Sequence, residues 1–140
     1  MAKRTGLDDP AARDLRKRLD VAHAGLLRVH KTILDHERTR YDRSHAPVGG
    51  PMEFLQLVLN DPWFAWLRPI SELIVQIDEF VSAKEPAQLS HGEALLKQAQ
   101  DLLVPNETGT PFGRAYFRAM QESPDVAMAH GEWKRSMSAS

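Results

Sequence analysis

The chain of 140 residues contains no cysteine. That removes disulfide frameworks, thiolate metal sites and cysteine nucleophiles together. A long apolar run is missing as well. The richest stretch, Trp63 to Val81, is broken by Arg68, Glu72, Asp78 and Glu79, whereas a membrane span needs ~20 apolar residues in succession. Behind the basic residues of MAKRTGLDDPAARDLRKRLD there is no apolar segment of the kind a secretory signal carries. A cytoplasmic protein is the expectation. Charge of one sign is not in excess either. A net charge of −1 exerts no general pull toward nucleic acid or anionic lipid, so neither nucleic acid nor membrane is expected as a partner.

Several chemical signatures are also absent. Di-iron bundles need Glu-x-x-His, and zinc peptidases need His-Glu-x-x-His; neither occurs. The Gly49-Gly50-Pro51 turn before a helix resembles an anion cradle, but it lacks the Lys-Ser/Thr of a phosphate loop and a preceding strand. No Gly-x-Ser-x-Gly elbow is present. No catalytic residue, metal or cofactor is assigned on this reading.

Nine prolines are present, and their positions argue for order. Asp9-Pro10, Gly50-Pro51, Asp61-Pro62, Thr110-Pro111 and Ser123-Pro124 place proline where a helix begins. Its missing N–H has no helical partner there, and a preceding Asp, Ser or Thr can accept from the free N–H groups of the first turn. Ser90 with Glu93 has the spacing of a capping box.

Between these signals the apolar period is helical. Leu15, Leu19, Ala22, Leu26, Val29 and Ile33 follow steps of four, three, four, three and four, one face of a helix over about Pro10 to Tyr41. Further helices are expected over Pro51 to Leu59, Pro62 to Ala83, His91 to Leu103, Pro111 to Gln121 and Pro124 to Arg135. No run alternates cleanly enough for a half-buried strand. The expected fold is all-α: an irregular antiparallel bundle of about four main helices plus short ones, one of them kinked by proline. A single domain spans 7–136, with flexible ends at 1–6 and 137–140 and a linker at 83–89.

The segment Pro62 to Ala83 carries two tryptophans and two phenylalanines. On an α-helical wheel Trp63, Trp66, Leu67, Ile70, Leu73, Ile74, Ile77, Phe80 and Val81 share one sector, which reads as core. Phe64 and Val75 fall on a flank. Pro69 should kink this helix or divide off its first turns, and so open room between helices. Trp63, Phe64 and Val75 are therefore candidate interface residues. The first helix, ~45 Å at 1.5 Å per residue, is long for so small a chain, which points to a homodimer.

The polar anomaly lies in the first helix. His23, His30 and Glu37 recur every seven residues at the edge of its apolar face, and Tyr41 continues the line. Their structural reading is hydrogen bonding to buried partners such as Arg68 or a carbonyl freed near Pro69. Their functional reading is a ligand site formed by His30, Glu37, Trp66 and Arg68 beside the proline kink, for a small molecule or for a metal or haem. Seven residues separate adjacent members by ~10.5 Å, so they cannot share one ion unaided. The leading expectation is a non-catalytic interaction or assembly module acting as a homodimer, with another protein as a further possible partner. The alternative is the ligand-binding bundle.

Overall fold

The structure is a computed structural model that describes residues 4–5, 9–83 and 87–139. It is an all-α helical bundle. Helix α1 (Pro10–Ser44) is followed by α2 (Pro51–Asn60), a 3-10 segment (Pro62–Leu67), α3 (Arg68–Ser82), α4 (Leu89–Leu102), α5 (Pro111–Glu122) and α6 (Pro124–Ala139). The only extended pairing among the described residues joins Arg4–Thr5 to Ala87–Gln88, with Arg4 opposite Gln88. Residues 1–3 and 6–8 of the expected terminus and boundary, 84–86 of the expected linker and 140 of the expected flexible end lie outside the described residues.

Five prolines begin helical segments as expected. Asp9 Oδ1 accepts from Ala11 N–H at 2.8 Å, Asp61 Oδ1 from Trp63 N–H at 2.8 Å and Thr110 Oγ1 from Gly113 N–H at 3.0 Å. The Ser90–Glu93 capping box does not form. Helix α4 starts two residues before the expected His91, at Leu89, with Gln88 before it and no side-chain cap. At the other end α6 continues past Arg135 to Ala139, and Met137 packs against the core. The segment from 137, expected as a flexible end, is thus helical through Ala139.

Helix α1 is the spine. Its buried residues are Leu15, Leu19, Ala22, Leu26, Val29, Ile33 and Glu37, so the six-residue stripe is core throughout and the glutamate extends it. Helices α3, α4 and α6 all pack on α1, α3 also packs on α4, and α5 packs on α6. The length of α1 is therefore covered by its own chain, and does not by itself call for a second copy. At Gly25 the ring of Trp133 from α6 comes so near that a β-carbon would meet it at 2.6 Å. Glycine lets α1 and α6 approach closely there.

Pro69 divides the tryptophan segment. Residues Pro62–Leu67 wind as a 3-10 helix and α3 begins at Arg68, which puts the proline in its first turn. The change of pitch decides which side chains are buried. In a 3-10 helix residues three apart eclipse one another, so Phe64 and Leu67 share a face, and both are core. Their line continues through Ile70, Leu73 and Ile77 of α3, all buried. Phe64, expected on a flank as an interface residue, is 1% exposed. A wheel drawn at α-helical pitch turned it away from its true face.

Candidate functional site

Glu37 is the one fully buried carboxylate among the described residues, with a side-chain exposure of 0%. Its charge is compensated from three elements. Arg40, one turn along α1, donates from Nη1 to Oε2 at 2.7 Å, and Trp63 of the 3-10 segment donates from Nε1 to the same oxygen at 2.8 Å. Arg118 of α5 donates from Nη2 to Oε1 at 2.7 Å. Both oxygens are engaged. The Arg40 guanidinium also stacks over the Trp63 ring at 4.9 Å, a favourable cation–π arrangement.

A second carboxylate extends the network outward. Glu122 Oε1 accepts from Arg118 Nη1 at 2.5 Å and lies 3.0 Å from His36 Nε2 and 3.4 Å from Arg40 Nε. Partial burial alone would raise the Glu122 pKa, but His36, Arg118 and Arg40 outweigh it and hold the pKa below the usual carboxylate value. The group stays ionised at neutral pH. Arg118 therefore bridges a buried carboxylate and an exposed one, and fastens α5 to α1.

Chemically this cluster is a clamp. Glu37 accepts from two guanidiniums and one indole N–H, which occupies three of the roughly four lone-pair sites of a carboxylate. His36 faces Glu122, and among the described residues no hydroxyl is hydrogen-bonded to its ring, although Thr32, Thr39 and Ser123 line the same groove. Thr32 and Thr39 donate to the carbonyls of Arg28 and Asp35, and Ser123 Oγ accepts from Val126 N–H. No group of three or more potential metal ligands occurs among the described residues. No described helix is long and apolar enough to cross a membrane.

The residues expected to form one ligand site are not brought together. His30 is half-buried and makes no hydrogen bond among the described residues; burial lowers its pKa from 6.5. Trp66 faces Phe112 at 5.6 Å and Arg118 at 5.8 Å, and its buried indole N–H has no partner. Arg68 is exposed and donates weakly to the Leu59 carbonyl at 3.4 Å, not to Glu37. The room near Pro69 is a shallow groove of about 400 Å³ between α3 and α4, lined by Glu72, Gln76, Gln98 and Asp101, and it includes neither His30 nor Glu37. The expected interface set changes too. Trp63 is half-buried and committed to Glu37, Phe64 is core, and Val75 is exposed but alone among Glu72, Gln76 and Glu79. A single surface valine needs no partner.

A second polar pair locks α5 to α6. Tyr116 is buried, and its hydroxyl lies 2.7 Å from His130 Nδ1. Burial pushes the Tyr116 pKa up, and burial together with Lys134 pushes that of His130 down from 6.5. Both groups are thus uncharged in the folded chain at neutral pH. His130 and His30 have the same pH consequence. The folded chain resists protonation at both, so the unfolded chain takes up the proton first. Their stability contribution is intact above pH ~6.5 and is lost as pH falls from there through the lower folded pKa values. The melting temperature is expected to drop between pH 7.5 and 5.5. In a His30→Gln/His130→Gln variant that slope should flatten, whatever the change in absolute stability. An equally steep slope in the variant would assign the acid sensitivity elsewhere.

What the sequence reading did not find is the exposure of α2, a helix it expected over Pro51 to Leu59. Met52, Leu55 and Leu59 are 68%, 48% and 56% exposed, and the helix has no buried residue at all. Phe54, Leu57 and Val58 on its other side are partly buried. Phe54 packs edge-on to Phe64 at 5.7 Å and lies under the Arg38 guanidinium at 4.7 Å. At 100° per residue Met52, Leu55 and Leu59 fall within about 60° of one another, opposite the inward set. Six apolar side chains in ten positions, spread over both faces, was the available signal. An apolar groove of about 520 Å³ runs beside this helix, lined among others by Tyr41, Pro47, Val48, Leu57 and Pro62. A more polar groove of about 540 Å³ lies between α1 and α6, flanked by Arg28, Thr32 and His36 on one wall and Glu122, Met128 and Glu132 on the other. The ion pair of Arg28 with Glu132 spans it.

Comparison of the chain with family models, with curated proteins and with solved structures finds no match in any of the three.

Proposed function

We propose that this protein is a non-catalytic interaction module that docks another polypeptide on the outward face of α2. The observation that carries the reading is a helix apolar on two sides with no buried residue. A helix that is apolar all round belongs in an interior, and among the described residues only one side of α2 meets the rest of the chain, chiefly through the 3-10 segment. Met52, Leu55 and Leu59 are spaced three and four apart, the spacing of a seam that receives another helix. The remaining polar anomalies support a scaffold role. Glu37 and Glu122 hold helices in place through their ion pairs with Arg40 and Arg118. A cytoplasmic site of action is part of the same proposal.

The test is in-cell photocrosslinking. A benzophenone amino acid at position 55 should give defined adducts, several-fold above the same probe at the exposed polar position 76. If position 55 yields no more than position 76, α2 is not a docking face and the reading falls. The identity of the adduct matters separately, since a second copy and a different protein both satisfy this proposal.

A further inference from the structure

We infer that the occupant of the α2 face is a second copy of this chain, packed antiparallel about a two-fold axis that passes close to Leu55. The inference rests on the reading of α2 as a docking surface. Two observations select the occupant, and a third sets its direction.

The stripe itself carries no charge. Glu53 is the only ionisable residue in α2, and it accepts from Gly49 N–H at 2.6 Å, on a flank away from Met52, Leu55 and Leu59. A two-fold axis brings each patch against its own copy, so a patch charged along its seam would repel itself. This one does not. It equally offers nothing for an acidic or basic partner to recognise.

The stripe is also self-complementary in length. In an antiparallel pair centred between positions 55 and 56, Met52 of one chain meets the Leu59 position of the other, and the two Leu55 side chains lie near the axis. A flexible side chain at one end fills the space beside a branched one at the other. Charge then chooses the direction. The acidic residue of α2 is in its first turn, while Arg68 donates to the Leu59 carbonyl at the last turn. Antiparallel packing sets the acidic end of one helix beside the basic end of the other, and opposes the two helix dipoles favourably. Parallel packing would set like ends together.

The same geometry predicts a weak dimer. One helix of 10 residues on each side buries well under the ~1,200 Å² of a standard stable interface. Association should therefore be reversible and concentration-dependent.

Sedimentation equilibrium of the full chain from ~1 µM to ~1 mM should show the average mass rising toward twice the chain mass of 15.8 kDa. Leu55→Glu should weaken dimerisation at least ~10-fold, equivalent to ~1.4 kcal/mol. Its side chain is half exposed, so its fold should survive, and a wild-type far-ultraviolet circular dichroism spectrum confirms that. The absence of native cysteine allows a clean second measurement. With a short bismaleimide, Leu55→Cys should cross-link to itself. A mixture of Met52→Cys and Leu59→Cys chains should cross-link several-fold more than Met52→Cys alone.

A chain monomeric at 1 mM, or one whose Met52→Cys form cross-links best to itself, overturns the antiparallel dimer. If position 55 nonetheless photocrosslinks another protein, the docking face stands and only the identity of its occupant is wrong. If neither association nor crosslinking is seen, both inferences fail.

Discussion

Arg118→Met is expected to destabilise the protein more than Glu37→Met, although both remove the same ion pair. The difference lies in which partner is left behind. Without Arg118, a carboxylate with 0% side-chain exposure keeps only Arg40 and the Trp63 indole. Leaving a buried charge short of a partner costs about 3 to 5 kcal/mol. Without Glu37, the stranded groups are two guanidiniums whose side chains remain 30% and 33% exposed, both beside Glu122. They can turn to water and to that second carboxylate. The cost should then be nearer 1 to 3 kcal/mol, much of it the unpaired Trp63 N–H. Chemical denaturation of the two single variants and the double variant measures this. The double variant should resemble Glu37→Met, because removal of the carboxylate takes away the reason Arg118 is needed. Equal losses in the two single variants would contradict the clamp as described.

Trp133→Ala should cost about 3 to 5 kcal/mol, the range for truncating a large buried aromatic. The side chain is buried and lies over Gly25 where α6 meets α1. Its partner should behave against the usual rule. In an exposed helix interior, glycine to alanine gains up to about 1 kcal/mol. At Gly25 the added carbon would sit 2.6 Å from one ring atom of Trp133 and 2.9 Å from the next, and overpacking of this kind costs about 1 to 3 kcal/mol. Gly25→Ala should therefore destabilise. Combined with Trp133→Ala, the same substitution should become neutral or favourable, since nothing remains to clash with it. That change of sign, measured by thermal or urea unfolding, identifies the contact in a way neither single variant can.

Most of α1 was legible because its signal is local and periodic. Every residue of the stripe from Leu15 to Ile33 is core. The proline starts were legible for the same reason, since capping chemistry acts within one turn. The clamp was half legible. Glu37 with Arg40, and Arg118 with Glu122, are each within one turn of a helix, where sequence spacing shows neighbours. The bond between Arg118 and Glu37 joins residues far apart in the chain, and no local pattern carries that information. Arg68, nearer in sequence, was the wrong arginine. Phe64 was misplaced for another reason: it lies in a segment of tighter pitch, and neither composition nor period distinguishes three residues per turn from 3.6 over so short a span. The exposure of α2 could be read only in part. Its apolar positions say that both sides want cover, and only the fold shows that one side has none.

The pairing of α1 with α6 joins the first long helix of the chain to its last. On a ribosome this order of events has a cost. Leu26, Val29 and Ile33 emerge early, while the helix that carries Trp133 to Gly25 is made after the other five. At ~5 to 20 residues per second, the rest of the chain takes several seconds to follow. Through that interval the apolar stripe of α1 has no native partner on its α6 side. A nascent chain stalled anywhere before Trp133 should be a client for a holdase, and emergence of α6 should be the moment when protease resistance appears.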